Sequence, residues 1–206
     1  MELHRISVKY FVSDPDTVDL TAMIGLFHRW IQEKKLEGLP IDVADYRHVR
    51  EGPGVVLVGH EFDYAMDMQE GRPGLCYVRK REMAGSLTNQ LRLAFHGALV
   101  GCRLLQEEHA SDLGVTFRTD EVKLTLVDRL LAPNGEATLE EAREEIAGFL
   151  EQLYEPAAVS FEPDVHDQRR PFSLNIHACA AADLNSLMER LSADAPSGIG
   201  GMRGEE

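Results

Sequence analysis

The apolar residues of the chain switch repeatedly between an alternating and a helical spacing. The order of those switches restricts the fold more than any other feature. Ile6, Val8, Tyr10 and Val12 alternate with Arg5, Ser7, Lys9 and Phe11, the pattern of a half-buried strand. The SDPD segment follows, and Asp14-Pro15 or Asp16 offers a helix start. Leu20, Met23, Ile24, Phe27, Trp30 and Ile31 then form a broad helical stripe, which Gly38 and Pro40 close. Ile41–Ala44 reads as a short strand and EGPG (51–54) as a turn. VVLVGHEFDYAMD (55–67) reads as one continuous strand, QEGRPG (69–74) as a hairpin loop, and LCYVRKR (75–81) as the returning strand. A long helix is expected over residues 86–108, with Ala94, Gly97, Ala98 and Gly101 as its small residues, and a closing strand over 113–118. Reduced to its main parts, this order is β-α-β-β-α-β, the split βαβ pattern of ferredoxin-like units.

The second half reads in the same order. Val122–Asp128 echoes Val8–Asp14, each a strand running into an aspartate. Thr138 and Glu141 form a capping box. The stripe Ala142, Ile146, Phe149, Leu153 has the spacing of Leu20, Ile24, Phe27, Ile31, and Pro156 stops it. Val159–Glu162 and Phe172–Ala178 are strands, and Asp183–Leu191 is a short helix. The expectation is therefore an α+β protein of two tandem ferredoxin-like (β-α-β-β-α) halves, residues 1–119 and 120–192, with antiparallel sheets covered by helices on one face. Residues 193–206 carry no apolar period and are expected to form a disordered tail.

Composition narrows the partners. The chain has 206 residues, and 44% are hydrophobic, enough for a packed core. Its formal charge of −14 repels phosphate backbones and anionic lipid, so nucleic acid and membrane surfaces are not expected partners. Cys76, Cys102 and Cys179 lie far apart, without a CxxC motif. Together with an N-terminus lacking a basic start and an apolar core, they point to a reducing, cytoplasmic setting.

Three groups of residues are candidates for chemistry. Glu61, Asp63 and Asp67 fall on one face if residues 55–67 are a single strand. Such carboxylates can hold a hard cation, or they can be a solvated face paired with Lys80 and Arg81 from the returning strand. The expectation is the second, with no metal bound and His60 alone among apolar neighbours. Ser173, Asn175 and His177 alternate with Phe172, Leu174 and Ile176 and share a polar strand face, with Lys123 and Thr125 on a similar one. They suit acid–base work, an outward solvated face, or an interface where two sheets meet, the last being the expectation, and they are the ligand-binding candidates. Arg169 and Arg170 can bind a carboxylate or phosphate, or neutralise the neighbouring DVHD segment. There is no GxGxxG after a strand, no P-loop, no GxSxG elbow and no HExxH, so no cofactor is indicated.

The function expected from these readings is binding or assembly, with self-association or another protein contact through the polar sheet faces. The alternative is a small-molecule enzyme with a cleft between two sheets. A concave pocket joining His177 or the Glu61–Asp67 face to basic residues would favour the enzyme, and a flat face buried against a second chain would favour assembly.

Overall fold

The computed structural model describes residues 3–81, 85–109, 114–164, 167 and 169–193. The elements run β1 (Ile6–Val12), α1 (Leu20–Gln32), β2 (Pro40–Asp45), β3 (Val55–Gly59), β4 (Phe62–Asp67), β5 (Gly74–Arg79), α2 (Leu87–His109), β6 (Phe117–Leu126), α3 (Glu136–Tyr154), β7 (Val159–Pro163), β8 (Phe172–Ala178) and α4 (Leu184–Ala193). All eight strands form one sheet in the order β2-β3-β4-β5-β1-β6-β8-β7, and every neighbouring pair is antiparallel.

This overturns the expected pair of tandem ferredoxin-like halves, each with its own sheet. The strands expected over 113–118 and from Val122 are a single strand, β6, which pairs along β1. Polar Thr119 and Glu121 made their junction look like a loop, yet both are buried inside the strand. The expected junction at 119/120 lies within β6, and the expected tail lies from residue 194 onward outside the described residues. The position of β1 between β5 and β6 also corrects its half-buried reading, because every one of its residues is buried.

The second correction concerns residues 55–67. The run breaks after Gly59, and β3 turns back into β4. Val55 faces Met66 and Leu57 faces Tyr64, so the apolar residues of both strands share the core side. Val58 faces Asp63 and Val56 faces Ala65 on the other side. A cap at Gly59 explains the turn: its backbone N–H donates to Asp63 Oδ1 at 3.2 Å.

Helix starts follow side-chain capping rather than the first plausible proline. Asp19 caps α1, its Oδ1 accepting from the N–H groups of Thr21 and Ala22, while Asp14 caps a short 3-10 turn at Pro15–Thr17. The Thr138–Glu141 capping box does not form. Helix α3 begins at Glu136, and Thr138 Oγ1 donates to the Pro133 carbonyl at 2.6 Å.

The core lies against the Ile6–Val8–Tyr10 side of β1. Phe95 of α2 meets Tyr10 edge-on at 6.4 Å and Phe149 of α3 at 5.1 Å, and Trp30 of α1 meets Tyr64 at 6.1 Å. Gly97 and Gly101 let α2 approach closely. A Cβ on Gly97 would stand 2.5 Å from Tyr77 Cζ, and one on Gly101 would overlap the Tyr64 ring. Tyr64 uses that approach, donating its hydroxyl to the Gly97 carbonyl at 2.6 Å. No helix among the described residues is long and apolar enough to cross a membrane.

Candidate functional site

The opposite side of β1 carries Ser7 and Lys9, and it opens into a groove of about 660 Å³ lined by strand and loop residues. Pairing aligns side chains in rows across the sheet, since directly opposed residues project to the same side. One row runs Ala65, Cys76, Lys9, Lys123, Asn175, Glu162. The next runs Asp63, Val78, Ser7, Thr125, Ser173. The middle of these rows is the groove floor: Ser7, Lys9, Cys76, Lys123, Thr125 and Ser173.

Two lysines therefore stand directly opposite each other at the centre, Lys9 on β1 and Lys123 on β6. Like charges so placed repel, and carboxylates on both flanks offset them. Lys9 Nζ lies 2.7 Å from Asp67 Oδ2, the two side chains only 7% and 9% exposed. Lys123 Nζ lies 2.7 Å from Glu70 Oε1 and 3.8 Å from Asp164 Oδ2. Arg170 Nη1 donates to the same Glu70 oxygen at 3.2 Å. Burial pushes the Glu70 carboxyl up, but the Lys123 hydrogen bond and the charges of Lys123, Lys9 and Arg170 outweigh it and hold the group below its ordinary value.

The neutral groups of the floor are tied to one another. Ser7 Oγ lies 3.1 Å from Cys76 Sγ, and Thr125 Oγ1 lies 3.2 Å from Ser173 Oγ. Burial pushes the Cys76 thiol up to about 11, against the Ser7 hydrogen bond. At neutral pH it is a protonated thiol and a poor nucleophile. The wall that carries Asp164 is pinned from behind: Asn134 Nδ2 donates to the carbonyls of Asp164 at 3.0 Å and Asp167 at 3.1 Å.

The sequence candidates separate in space. Glu61 sits in the β3–β4 turn against Arg79 at 3.5 Å, Asp63 pairs with Lys80 at 2.8 Å, and Asp67 belongs to Lys9. His60 is exposed rather than set among apolar neighbours, with Nε2 at 2.6 Å from Arg81 Nη2. Among the described residues no group of three or more His, Cys, Asp or Glu is arranged to hold a metal ion. Ser173, Asn175 and His177 do share a strand face, opposite Thr125, Lys123 and Glu121 respectively. Only Ser173 of the three lines the groove; Asn175 and His177 continue along β8 beyond it. Arg170 lines the groove, whereas Arg169 points to solvent and pairs with Asp167 at 3.1 Å. Alternation along β1 and β6 had already placed Ser7, Lys9, Lys123 and Thr125 on polar faces. Cys76, Glu70 and Asp164 carried no local signal, because each reaches the site through a loop or a pairing partner distant in sequence. No protein-family model, no curated protein and no solved structure matches the chain.

Proposed function

We propose that the protein is a binding protein whose sheet groove takes a small polar ligand. The observation that carries this reading is the floor itself: a concave surface joining the Asp63–Asp67 face to Lys9, Lys123 and Arg170, with hydroxyls of Ser7, Thr125 and Ser173 between them. A few convergent polar groups set in a concavity with apolar walls, here Pro53, Val56, Val78 and Pro171, are the usual build of a small-molecule site. Self-association through this face is less well supported, since two copies of one concave surface do not fill each other. Catalysis is less well supported too, because the thiol on the floor is held protonated and His177 stands outside the lining. The free cysteines Cys76, Cys102 and Cys179 favour a reducing compartment such as the cytoplasm.

The test is an amide chemical-shift titration of the whole chain against polyols, amino acids, carboxylates, phosphates and amines, with sedimentation run in parallel. Saturable shifts at Ser7, Lys9, Thr125 and Ser173 are expected, on a monomer. A dimer that protects these amides and ignores every probe would replace ligand binding with self-association.

A further inference from the structure

Within the groove, Glu70 occupies a position of particular interest. It lies on the short loop between β4 and β5, 53 residues from Lys123 in sequence and 100 from Arg170, yet one of its oxygens accepts from both. The two donors come from different parts of the fold, Lys123 from the central strand β6 and Arg170 from the loop before β8. They converge on a single carboxylate at the edge of the groove. The Lys123 side chain is 15% exposed, so it is aimed into the groove rather than at bulk water.

The carboxylate they hold sits at the end of a flexible side chain. Glu70 is non-helical inside its 3-10 turn, with φ at 62°, a left-handed conformation uncommon for a glutamate. Gly71 beside it is also left-handed, at 65°. The turn itself is anchored: Arg72 N–H donates to the Gln69 carbonyl at 3.2 Å and Met68 N–H to the Gly52 carbonyl at 3.1 Å, while the Arg72 guanidinium pairs with Glu121 and lies over the Phe11 ring. Glu70 can leave both donors by rotating its own side chain, which breaks no backbone bond. The other pairs of the neighbouring charges do not involve Glu70. Lys9 remains with Asp67, and Lys123 keeps Asp164 only at 3.8 Å, long for a hydrogen bond.

We infer that Lys123 and Arg170 form a carboxylate-binding site at the edge of the groove, and that Glu70 fills it as an internal stand-in which a ligand carboxylate displaces. This deepens the proposed polar-ligand function and rests on it. A planar carboxylate is the class assigned, because a carboxylate is what the two donors already accommodate.

The experiment compares wild type, Glu70→Gln and Glu70→Asn. Asparagine tolerates the left-handed backbone and keeps the loop intact should glutamine disturb it. Each is titrated with acetate, with inorganic phosphate and with chloride at equal ionic strength, reading the Lys123 and Arg170 signals. A site occupied by its own glutamate shows an affinity reduced by the fraction of time it is free. Removing that occupant should therefore tighten acetate binding on the order of tenfold. Adding Lys123→Met to Glu70→Gln should abolish the gain. Equal acetate affinity in wild type and both variants would overturn the stand-in role. Responses to acetate no larger than to chloride would overturn the site, and tighter binding of phosphate than acetate would overturn the carboxylate assignment. Shifts at Ser7 and Thr125 with neutral polyols, but none with acetate, would sink this inference and leave the groove reading standing. Silence towards every probe would sink both.

Discussion

Replacing Lys9 with methionine tests the account of the groove floor. The substitution keeps the apolar stem and removes the ammonium 2.7 Å from Asp67 Oδ2, where both side chains are less than a tenth exposed. At that separation the attraction is about 6 kcal/mol with an effective dielectric constant near 20. Most of it offsets the desolvation of the two ions, so the pair as a whole adds little. Deleting one member is different, because Asp67 then stays buried without its counter-charge, a loss of about 3–5 kcal/mol. Relief of the Lys9–Lys123 repulsion returns up to about 1 kcal/mol. The net expectation is a loss of about 2–4 kcal/mol, or roughly 5–15 °C in Tm for a chain of this size. Urea unfolding followed by circular dichroism measures it. The double variant Lys9→Met, Asp67→Leu should return to within about 1 kcal/mol of wild type, since it removes both charges together. A single-variant loss below about 1 kcal/mol would refute the reasoning, as would a double variant whose loss is the sum of the two singles.

Phe149→Ala should cost about 3–5 kcal/mol in the same assay, because the ring is 3% exposed and packs on Phe95; a loss below about 1 kcal/mol would make α3 peripheral. The Cys76 thiol titrates near 11 in the folded chain against 9.0 for an ordinary cysteine. Its contribution is therefore fully present below pH 9 and lost as pH rises from there through 11. The stability difference between wild type and Cys76→Ala should accordingly change in favour of the alanine variant between pH 8 and pH 10.5, and iodoacetamide at pH 7.5 should label exposed Cys179 well before Cys76. EDTA, and then excess Mg²⁺, Mn²⁺ or Zn²⁺, should leave Tm within about one degree, because Glu61, Asp63 and Asp67 are each held by a different cation; a rise of several degrees abolished by Asp63→Ala would assign them a metal.

What the sequence determined by itself was local: which side of β1 and of α3 is apolar. The period of Ile6, Val8, Tyr10 and Val12 identifies the core side of β1, and the stripe Ala142, Ile146, Phe149, Leu153 identifies the core side of α3. Burial of apolar area acts on each residue separately, so it leaves its period in the order of residues. Turns and joins were less legible. Gly59 in an apolar run gave no warning of a hairpin, and Thr119–Glu121 inside β6 looked like a break. The Gly59 turn is fixed by a side-chain cap from Asp63, and β6 is completed by β1 and β8, strands far away in sequence that leave no local mark. Tertiary structure alone decided that β1 and β6 lie side by side in the interior of one sheet. That pairing brings Lys9 opposite Lys123 and gathers Asp67, Glu70, Asp164 and Arg170 around them. Strand register is settled by which face each inner strand buries, and a one-residue slip of β1 or β6 would turn its lysine into the core.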